Sequence, residues 1–248
     1  MSIIIKNKQQ IENMRIAGKI LKETLDLLEQ SIFPGQTTLR LNDLAYNYII
    51  SKGAKPSFLN YEGFPFTICA SLNDQVVHGF CSDVPLREGD IISIDCGVIW
   101  NGMHSDAART FPVGKISVEN QKLINITKES FFEGIKDIKA GSKLGHISHR
   151  IQAHLEKNGY GVVRELVGHG VGENLHEDPA VPNYGKYNSG VVLMEGMTLA
   201  IEPMSTLGKR DVYLEDNDWT ITTQDGKPSA HYENTVLITK DGVEILTL

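Results

Sequence analysis

Residues 91–106 read Ile-Ile-Ser-Ile-Asp-Cys-Gly-Val-Ile-Trp-Asn-Gly-Met-His-Ser-Asp, and this stretch decides the fold. Asn101-Gly102 is a strong signal for a two-residue β-hairpin turn, because both central positions of such a turn favour left-handed backbone. The residues on either side are apolar or β-branched, as strands require. We therefore predict a hairpin in which Trp100 pairs with Met103.

This register fixes the relative positions of two acids. Asp95 then lies opposite Ala108, and Asp106 becomes the diagonal neighbour of Asp95 on the same face of the hairpin. An acid that follows an apolar run is costly to bury unless a cation or several hydrogen-bond donors compensate its charge. The pair predicts either a metal site or a hydrogen-bonded acid cluster, and the hairpin alone does not decide between them.

Outward from the hairpin, the chain alternates between helical and strand-like regions. Apolar residues that recur every three or four positions predict four amphipathic helices, at about residues 11–28, 38–52, 117–138 and 142–159, the last with Ser142 as N-cap. Strand-like runs occupy residues 66–113 and the chain from 162 onward. The order predicts an α+β fold with antiparallel hairpins in a single domain spanning residues 1–248.

Two short segments of similar sequence occur, one in each half of the chain. Residues 87–95 read Arg-Glu-Gly-Asp-Ile-Ile-Ser-Ile-Asp, and residues 194–202 read Met-Glu-Gly-Met-Thr-Leu-Ala-Ile-Glu. Each segment begins with Glu-Gly and ends with Ile and a carboxylate. We expect two similar halves, each of which sends an acid-tipped strand toward one site.

Composition narrows the class of protein. The 248 residues include 31 acidic and 24 basic residues, a formal charge of −7, which is not typical of a nucleic-acid-binding protein. Three cysteines without a Cys-x-x-Cys pair indicate reduced thiols and no thiolate zinc site. The N-terminus does not read as a secretory signal, and no apolar run reaches the ~18–20 residues of a membrane helix. We expect a cytoplasmic protein that uses neither nucleic acid as substrate nor a membrane.

Three further segments carry candidate metal ligands. Residues 168–179 form a glycine-rich loop that contains His169 and His176, and Glu202 and Glu233 interrupt apolar runs. Each acid alone could be an edge-strand surface residue. Taken with the hairpin acids, these segments supply four carboxylates and one imidazole, which suit a two-metal, oxygen-rich site of the Mn, Fe, Co or Zn type.

Over essentially its whole length the chain resembles the type I methionine aminopeptidases of peptidase family M24, in their minimal bacterial form. The resemblance rests on the histidine loop, on Glu202-Pro203-Met204 and on the stretch that leads to His78. It implies the pita-bread fold, in which helices cover an antiparallel sheet in two pseudo-symmetric halves. It also implies two divalent metal ions (Co, Mn, Fe or Zn) bound by Asp95, Asp106, His169, Glu202 and Glu233.

The resemblance implies roles for the other residues. Glu202 would shuttle a proton, His176 would stabilise the developing oxyanion, and His78 would contact the departing amide nitrogen. The substrate-binding residues would be Tyr61, Phe64, Cys69, His78, Leu175, His176 and Trp219. The aromatic members read equally well as ordinary core residues. The chain departs from the best-known bacterial members at Phe58, Phe64, Leu175 and His231.

The implied activity is removal of N-terminal methionine from nascent proteins and peptides when the second residue is small, by a monomer working near the ribosome. Two alternatives stay open: an Xaa-Pro aminopeptidase or prolidase of the same fold, and an inactive pita-bread module that binds protein. We expect His146, His149 and His154 to be solvated on a helix. His104 stands between the hairpin turn and Asp106, and Cys69 is either a reactive thiol or a small buried hydrophobe.

Overall fold

The computed structural model describes residues 3–248. Its helices are α1 (Lys8–Gln30), α2 (Thr38–Ser51), α3 (Val118–Ile135) and α4 (Leu144–Lys157), with a 3₁₀ turn at Tyr61–Gly63. The strands of the first half are β1 (Lys55–Pro56), β2 (Ile68–Leu72), β3 (Gln75–Val77), β4 (Ile91–Trp100) and β5 (Met103–Pro112). Those of the second half are β6 (Gly161–Val162), β7 (Gly168–Gly170), β8 (Glu177–Val181), β9 (Thr198–Ile201), β10 (Met204–Thr206), β11 (Val212–Leu214), β12 (Ile221–Thr223), β13 (Ser229–His231), β14 (Asn234–Ile238) and β15 (Val243–Ile245).

The predicted hairpin is confirmed in both turn and register. Strands β4 and β5 pair so that Trp100 lies opposite Met103 and Asp95 lies opposite Ala108. Asn101 and Gly102 have φ angles of 47° and 78°, the left-handed conformation that the turn requires. The two ten-residue strands form the longest ladder in the described chain and carry Asp95 and Asp106 on one face.

The antiparallel α+β fold is also confirmed. One sheet has the order β1-β4-β2, with β5 paired to β4, and a second has the order β15-β14-β9-β7-β8. Two three-stranded sheets, β13-β10-β6 and β11-β12-β3, complete the strand pairings, all of them antiparallel. Among the described residues no two strands pair in parallel, so no sheet contains a βαβ crossover between neighbouring strands.

The buried apolar residues divide between two helix-on-sheet halves. Leu21 and Leu25 of α1 pack with Leu41 of α2 against Ile92 and Ile94 of β4. In the second half, helices α3 and α4 bury an equivalent set against β9 and β14: Phe131, Ile147, Ile151, Leu199, Ile201 and Val236. The similar segments at 87–95 and 194–202 contribute to β4 and β9, one strand in each half. This matches the expectation of two similar halves.

The two halves meet along β5 and β14. The Asp106 N–H donates to Thr235 Oγ1 over 2.8 Å, and the Thr235 hydroxyl donates back to the Asp106 carbonyl over 2.8 Å. The Glu233 N–H donates to the Ala108 carbonyl over 2.9 Å. These bonds bring candidate ligands of both halves together at one seam.

Helix starts follow local capping chemistry, with one exception. Asn7 forms a capping box with Gln10, and the side chains of Thr37 and Ser117 cap α2 and α3. The prediction of Ser142 as the N-cap of α4 is wrong, because the Ser142 hydroxyl accepts the N–H of Lys139 and the helix begins at Leu144. Among residues 3–248, no helix combines the length and apolar character needed to cross a bilayer.

The turn at the hairpin tip offers a stability test. We expect Gly102→Ala to lower the free energy of unfolding by about 1–2 kcal/mol, because an L-residue there must adopt a left-handed conformation. Nothing lies within 4 Å of the added Cβ, so no clash contributes. Urea unfolding monitored by circular dichroism measures the change.

Gly242→Ala is the matched control. Its Cβ also meets nothing within 4 Å, but its φ is not left-handed. Equal stability losses in the two variants would contradict the assignment of the turn.

Candidate active site

Five acidic and imidazole side chains converge at the seam between the halves. Each comes from a strand or from a residue next to one: β4, β5, β7, the position after β9 and the position before β14. They all line one cavity of about 170 Å³, and they are Asp95, Asp106, His169, Glu202 and Glu233. The sequence predicted these residues as metal ligands, and the structure brings all of them together.

The distances between these groups suit a shared cation. His169 Nε2 lies 3.8 Å from Asp106 Oδ2 and 3.8 Å from Glu202 Oε1. Ligand atoms of Asp106, His169 and Glu233 all lie within 4.8 Å of one another. A divalent ion bonds oxygen and nitrogen ligands at about 2.0–2.2 Å, so atoms spaced in this way can surround one.

The tautomer of His169 is set by its own backbone. Its Nδ1 lies 2.8 Å from the Gly170 carbonyl, which can only accept a hydrogen bond, so Nδ1 carries the proton. The lone pair is then on Nε2, which faces the carboxylates of Asp106 and Glu202. This is how a metal-ligating histidine is usually oriented.

Burial raises the pKa of every carboxyl group in the cluster. Desolvation, opposed in part by His231, brings the pKa of Asp95 to about 6, and desolvation brings that of Glu202 to about 8. The pKa values of Asp106 and Glu233 are raised well above their usual range by burial and then by neighbouring carboxylates. Burial lowers the pKa of His169 to about 3. The chain alone therefore opposes the charged form of each carboxyl group.

Two carboxylate oxygens of the cluster are buried without a hydrogen-bond donor among the described residues. Asp95 Oδ1 and Asp106 Oδ1 are buried and have no hydrogen-bond partner within residues 3–248. Cations would compensate these oxygens and lower the raised carboxyl pKa values at the same time. The donor set, oxygen-rich with one imidazole, fits divalent metal ions.

Arg109 and His231 contact residues of the acid cluster. The Arg109 guanidinium donates to the carbonyls of Ala108 and Glu233 and stacks 4.4 Å from the Tyr232 ring. His231 is buried with Nε2 3.3 Å from Glu202 Oε2, and burial lowers its pKa to about 4. Both ring nitrogens of His231 lack a hydrogen bond of good geometry among the described residues. His231 therefore lies directly against a candidate ligand.

His78 and His176 stand beside the cluster. The rings of His176 and His169 meet edge to face at 4.4 Å, and the Tyr61 hydroxyl lies 2.9 Å from His176 Nδ1. His78 has a left-handed backbone with φ of 57°, and its ring faces Trp219 at 6.4 Å. Burial lowers the pKa of both histidines, that of His78 to about 4, so both are neutral near pH 7.

An apolar pocket adjoins the cluster. Phe64 packs edge to face against Trp219 at 5.1 Å, and Leu175 closes another wall. The predicted substrate-binding residues all line the same cavity as the acids: Tyr61, Phe64, Cys69, His78, Leu175, His176 and Trp219. Phe58 and Glu62 also line this cavity. The sequence did not suggest Glu62 as a cavity residue, because no pattern marks a single exposed acid.

Cys69 behaves as a small apolar residue. It is buried among Phe58, Phe64 and Leu175. Burial raises the pKa of its thiol well above the usual range, so the thiol stays protonated at neutral pH. The structure favours the buried-hydrophobe reading over a reactive thiol.

A second cavity of about 260 Å³ lies on the other side of the cluster. It shares His78, Asp95, His169, His176 and Glu202 with the first, and it is bordered further by Val77, Leu166, Ala180 and Met204. The acid cluster thus lies between an apolar pocket and a second cavity.

The remaining histidines lie elsewhere. His104 pairs with Ser57 Oγ over 3.0 Å and borders neither cavity. Of the three helical histidines predicted to be solvated, His149 is exposed, whereas His146 and His154 are half-buried. His146 stacks on Tyr187 at 4.3 Å, and His154 lies 3.5 Å from Glu129, which explains their lower exposure.

Comparison with known proteins identifies relatives along the whole chain. A family model for metallopeptidase family M24 matches residues 12–240. The methionine aminopeptidase of Clostridium perfringens is 55% identical over 246 residues, which cover 99% of each chain. The crystal structure of methionine aminopeptidase from Rickettsia prowazekii matches with a TM-score of 0.98 and 43% identity over 100% of both chains. Prolidase from Pyrococcus furiosus matches with a TM-score of 0.79 and 25% identity, over 99% of this chain but 65% of that one.

The raised carboxyl pKa values predict a pH-dependent stability without metal. Between pH 7 and 8 the folded chain holds protons that the unfolded chain has released, because the pKa of Glu202 is about 8 instead of 4.5. The free energy of unfolding therefore falls as pH rises through this window. The buried histidines add an opposing slope that is largest near pH 7 and fades toward pH 8, because they are neutral when folded while a minority of the unfolded chain's histidines is still protonated at pH 7.

Thermal unfolding of chelator-treated protein at pH 7, 7.5 and 8 measures this effect. We expect the Tm to decrease as pH rises, and the Tm of the Glu202→Gln variant to decrease less. Added divalent metal should remove the decrease, since metal binding displaces the protons. A Tm that is constant or rises without metal would contradict the prediction.

Proposed function

Because the chain belongs to metallopeptidase family M24, we propose that it removes the N-terminal methionine from proteins and peptides whose second residue is small. The single observation that carries this proposal is the apolar pocket of Phe64, Leu175 and Trp219 directly beside the acid cluster. The pocket accepts one unbranched, sulfur-containing side chain, and the peptide bond that follows this side chain then lies at the cluster.

The family uses divalent metal, and we propose two ions per chain, drawn from Co, Mn, Fe and Zn. Asp106 and Glu233 would bind both ions, Asp95 would complete the ligands of one, and His169 and Glu202 those of the other. The close approach of Asp106, His169 and Glu233 supports this division. When bound, the ions supply Lewis acidity, which makes water nucleophilic near neutral pH and polarises the first peptide carbonyl.

The chain's own residues move protons and stabilise charge. Glu202 takes a proton from the attacking water and delivers it to the leaving amine. The Tyr61 hydroxyl lies 2.9 Å from His176 Nδ1, and donation by the hydroxyl would leave a proton on Nε2 for the developing oxyanion. His78 accepts or donates at the amide nitrogen that departs, and its lowered pKa keeps it neutral for this contact.

All five proposed ligands and the walls of the pocket come from residues of this chain, from both halves. We therefore propose that residues 1–248 form one metallopeptidase domain that acts as a monomer. Its substrates would be nascent chains near the ribosome in the cytoplasm, where initiator methionine is first exposed.

The function is tested with paired tripeptides. Chelator-stripped protein is assayed with Met-Ala-Ser and Ala-Pro-Ser while Mn, Fe, Co or Zn is restored one at a time. We expect metal-dependent release of methionine from Met-Ala-Ser and no cleavage of Ala-Pro-Ser, because the apolar pocket accepts the methionine side chain. Met-Leu-Ser serves as the control for a large second residue and should be cut poorly.

The other outcomes favour the alternatives. Cleavage of Ala-Pro-Ser alone would indicate a proline-directed peptidase of the same fold. Cleavage of neither peptide in protein that mass spectrometry shows to be metal-loaded would indicate an inactive binding module.

Removal of one shared ligand should abolish metal binding and turnover together. Asp106→Asn keeps the side-chain volume but removes a charge at the centre of the cluster. We expect at least about a 100-fold loss of metal affinity, since even outer partners of metal ligands cost 10–100-fold. Calorimetric metal titration and methionine release measure the two effects.

The control is Asp83→Asn, which neutralises an exposed acid. It should bind metal and cleave Met-Ala-Ser like the unaltered chain. Full activity of Asp106→Asn would overturn the ligand assignment.

A further inference from the structure

A buried ion pair joins the N-terminal segment to the histidine loop. Lys6 Nζ contacts Glu177 Oε2, and the two side chains are only 1% and 2% exposed. The partners are 171 positions apart in the chain. Glu177 immediately follows His176, so the pair lies one residue from a proposed catalytic histidine.

The second oxygen of Glu177 holds the loop itself. Glu177 Oε1 accepts the N–H of Asn174 over 3.1 Å, which closes the loop around the carboxylate. The Gly172 N–H in turn donates to the Asn174 carbonyl over 3.0 Å, and the Gly172 carbonyl accepts the N–H of His104 over 2.7 Å. The loop that carries Leu175 and His176 is thus fixed through Glu177 on one side and through the hairpin tip on the other.

Gly172 provides the space for Lys6. A Cβ at position 172 would lie 2.2 Å from Lys6 Cε and 3.1 Å from Glu177 Oε1, so a side chain here would displace the end of the lysine. The Lys6 N–H donates to the Gly196 carbonyl over 2.9 Å, in the turn before β9. Lys6 therefore connects the histidine loop to the strand that leads to Glu202.

Lys6 borders neither cavity at the acid cluster, whereas Glu177 borders the second one. Without Lys6, the Glu177 carboxylate would be an uncompensated charge next to that cavity. It would gain free energy by turning toward water and releasing the Asn174 N–H. The loop would then lose the bond that orients it.

We propose that Lys6 is a positioning residue that acts through Glu177 to place His176 and Leu175 against the first peptide bond. This inference rests on the proposed methionine aminopeptidase function and adds a residue that contacts neither substrate nor metal. A displacement of about 1 Å in such a group lowers turnover by up to about 100-fold. Because His176 acts on charge that develops during the reaction, the loss falls on kcat more than on KM.

The test uses full-length, metal-loaded protein with Lys6→Met and two double variants. Lys6→Met combined with Glu177→Gln removes the buried charge but keeps an acceptor for the Asn174 N–H. Lys6→Met combined with Glu177→Leu removes the charge and the acceptor together. Both double variants avoid the unpaired carboxylate, so they remain testable if the single variant does not fold.

We expect the two double variants to share a similar Tm but to differ in kcat. The Gln variant should retain most of the kcat for Met-Ala-Ser, and the Leu variant should lose about 10- to 100-fold, with less than a threefold change in KM. Metal content measured by mass spectrometry should equal that of the unaltered chain in both. Lys22→Met, which removes a half-buried surface lysine paired with Asp26, is the control and should change neither kcat nor Tm.

Equal kcat in the two double variants would overturn the positioning role and leave Lys6 as a purely structural partner. A kcat loss that follows a loss of metal would overturn it as well, because the pair would then act on the ligand His169. If the unaltered, metal-loaded chain does not release methionine, the proposed function fails, and that result is separate from any comparison between variants.

Discussion

Two buried and two half-buried carboxyl groups share one small cavity, and their charges impose the main physical constraint on this fold. Burial and mutual repulsion raise their pKa values, by a wide margin for Asp106 and Glu233. Such a cluster is stable in its charged form only when cations are bound. The same constraint explains the neutral imidazoles around it, because histidines buried without a paired charge also lose their protons. The arrangement is costly for the folded chain alone and favourable for a metal-loaded one.

The fold places these groups by bringing strands of two halves to one seam. The candidate ligands come from both halves: the first contributes Asp95 and Asp106, and the second contributes His169, Glu202 and Glu233. The reciprocal hydrogen bonds between Asp106 and Thr235 hold the seam at the level of the ligands. Each of these bonds joins the Asp106 backbone to the Thr235 hydroxyl, so the position of Asp106 in β5 is tied to that of Thr235 in β14.

In the proposed function, the acid cluster would lie between the pocket for the first side chain and the space for the remainder of the substrate. The apolar walls would take up one side chain, and His78, His176 and Glu202 would lie near the peptide bond beyond it. The loop contributes to both cavities, since Leu175 lines the first and His176 borders both. The Lys6–Glu177 pair is buried directly beneath this loop, so an N-terminal residue is connected to the chemistry of the site.

The sequence alone was sufficient to predict the structural features that depend on local backbone geometry. Asn101-Gly102 and a side-chain period of two are sufficient to fix the hairpin register, and with it the diagonal placement of Asp95 and Asp106. Apolar periodicity determined the helices, and the resemblance of the histidine loop and of Glu202-Pro203-Met204 to a known family suggested the ligand set. Only the tertiary structure decided where α4 begins, that His231 contacts Glu202, and that Lys6 reaches Glu177. These features depend on contacts between residues that are far apart in the chain. Local spacing and propensity do not predict such contacts, because the position of each partner is set by how the two halves pack together.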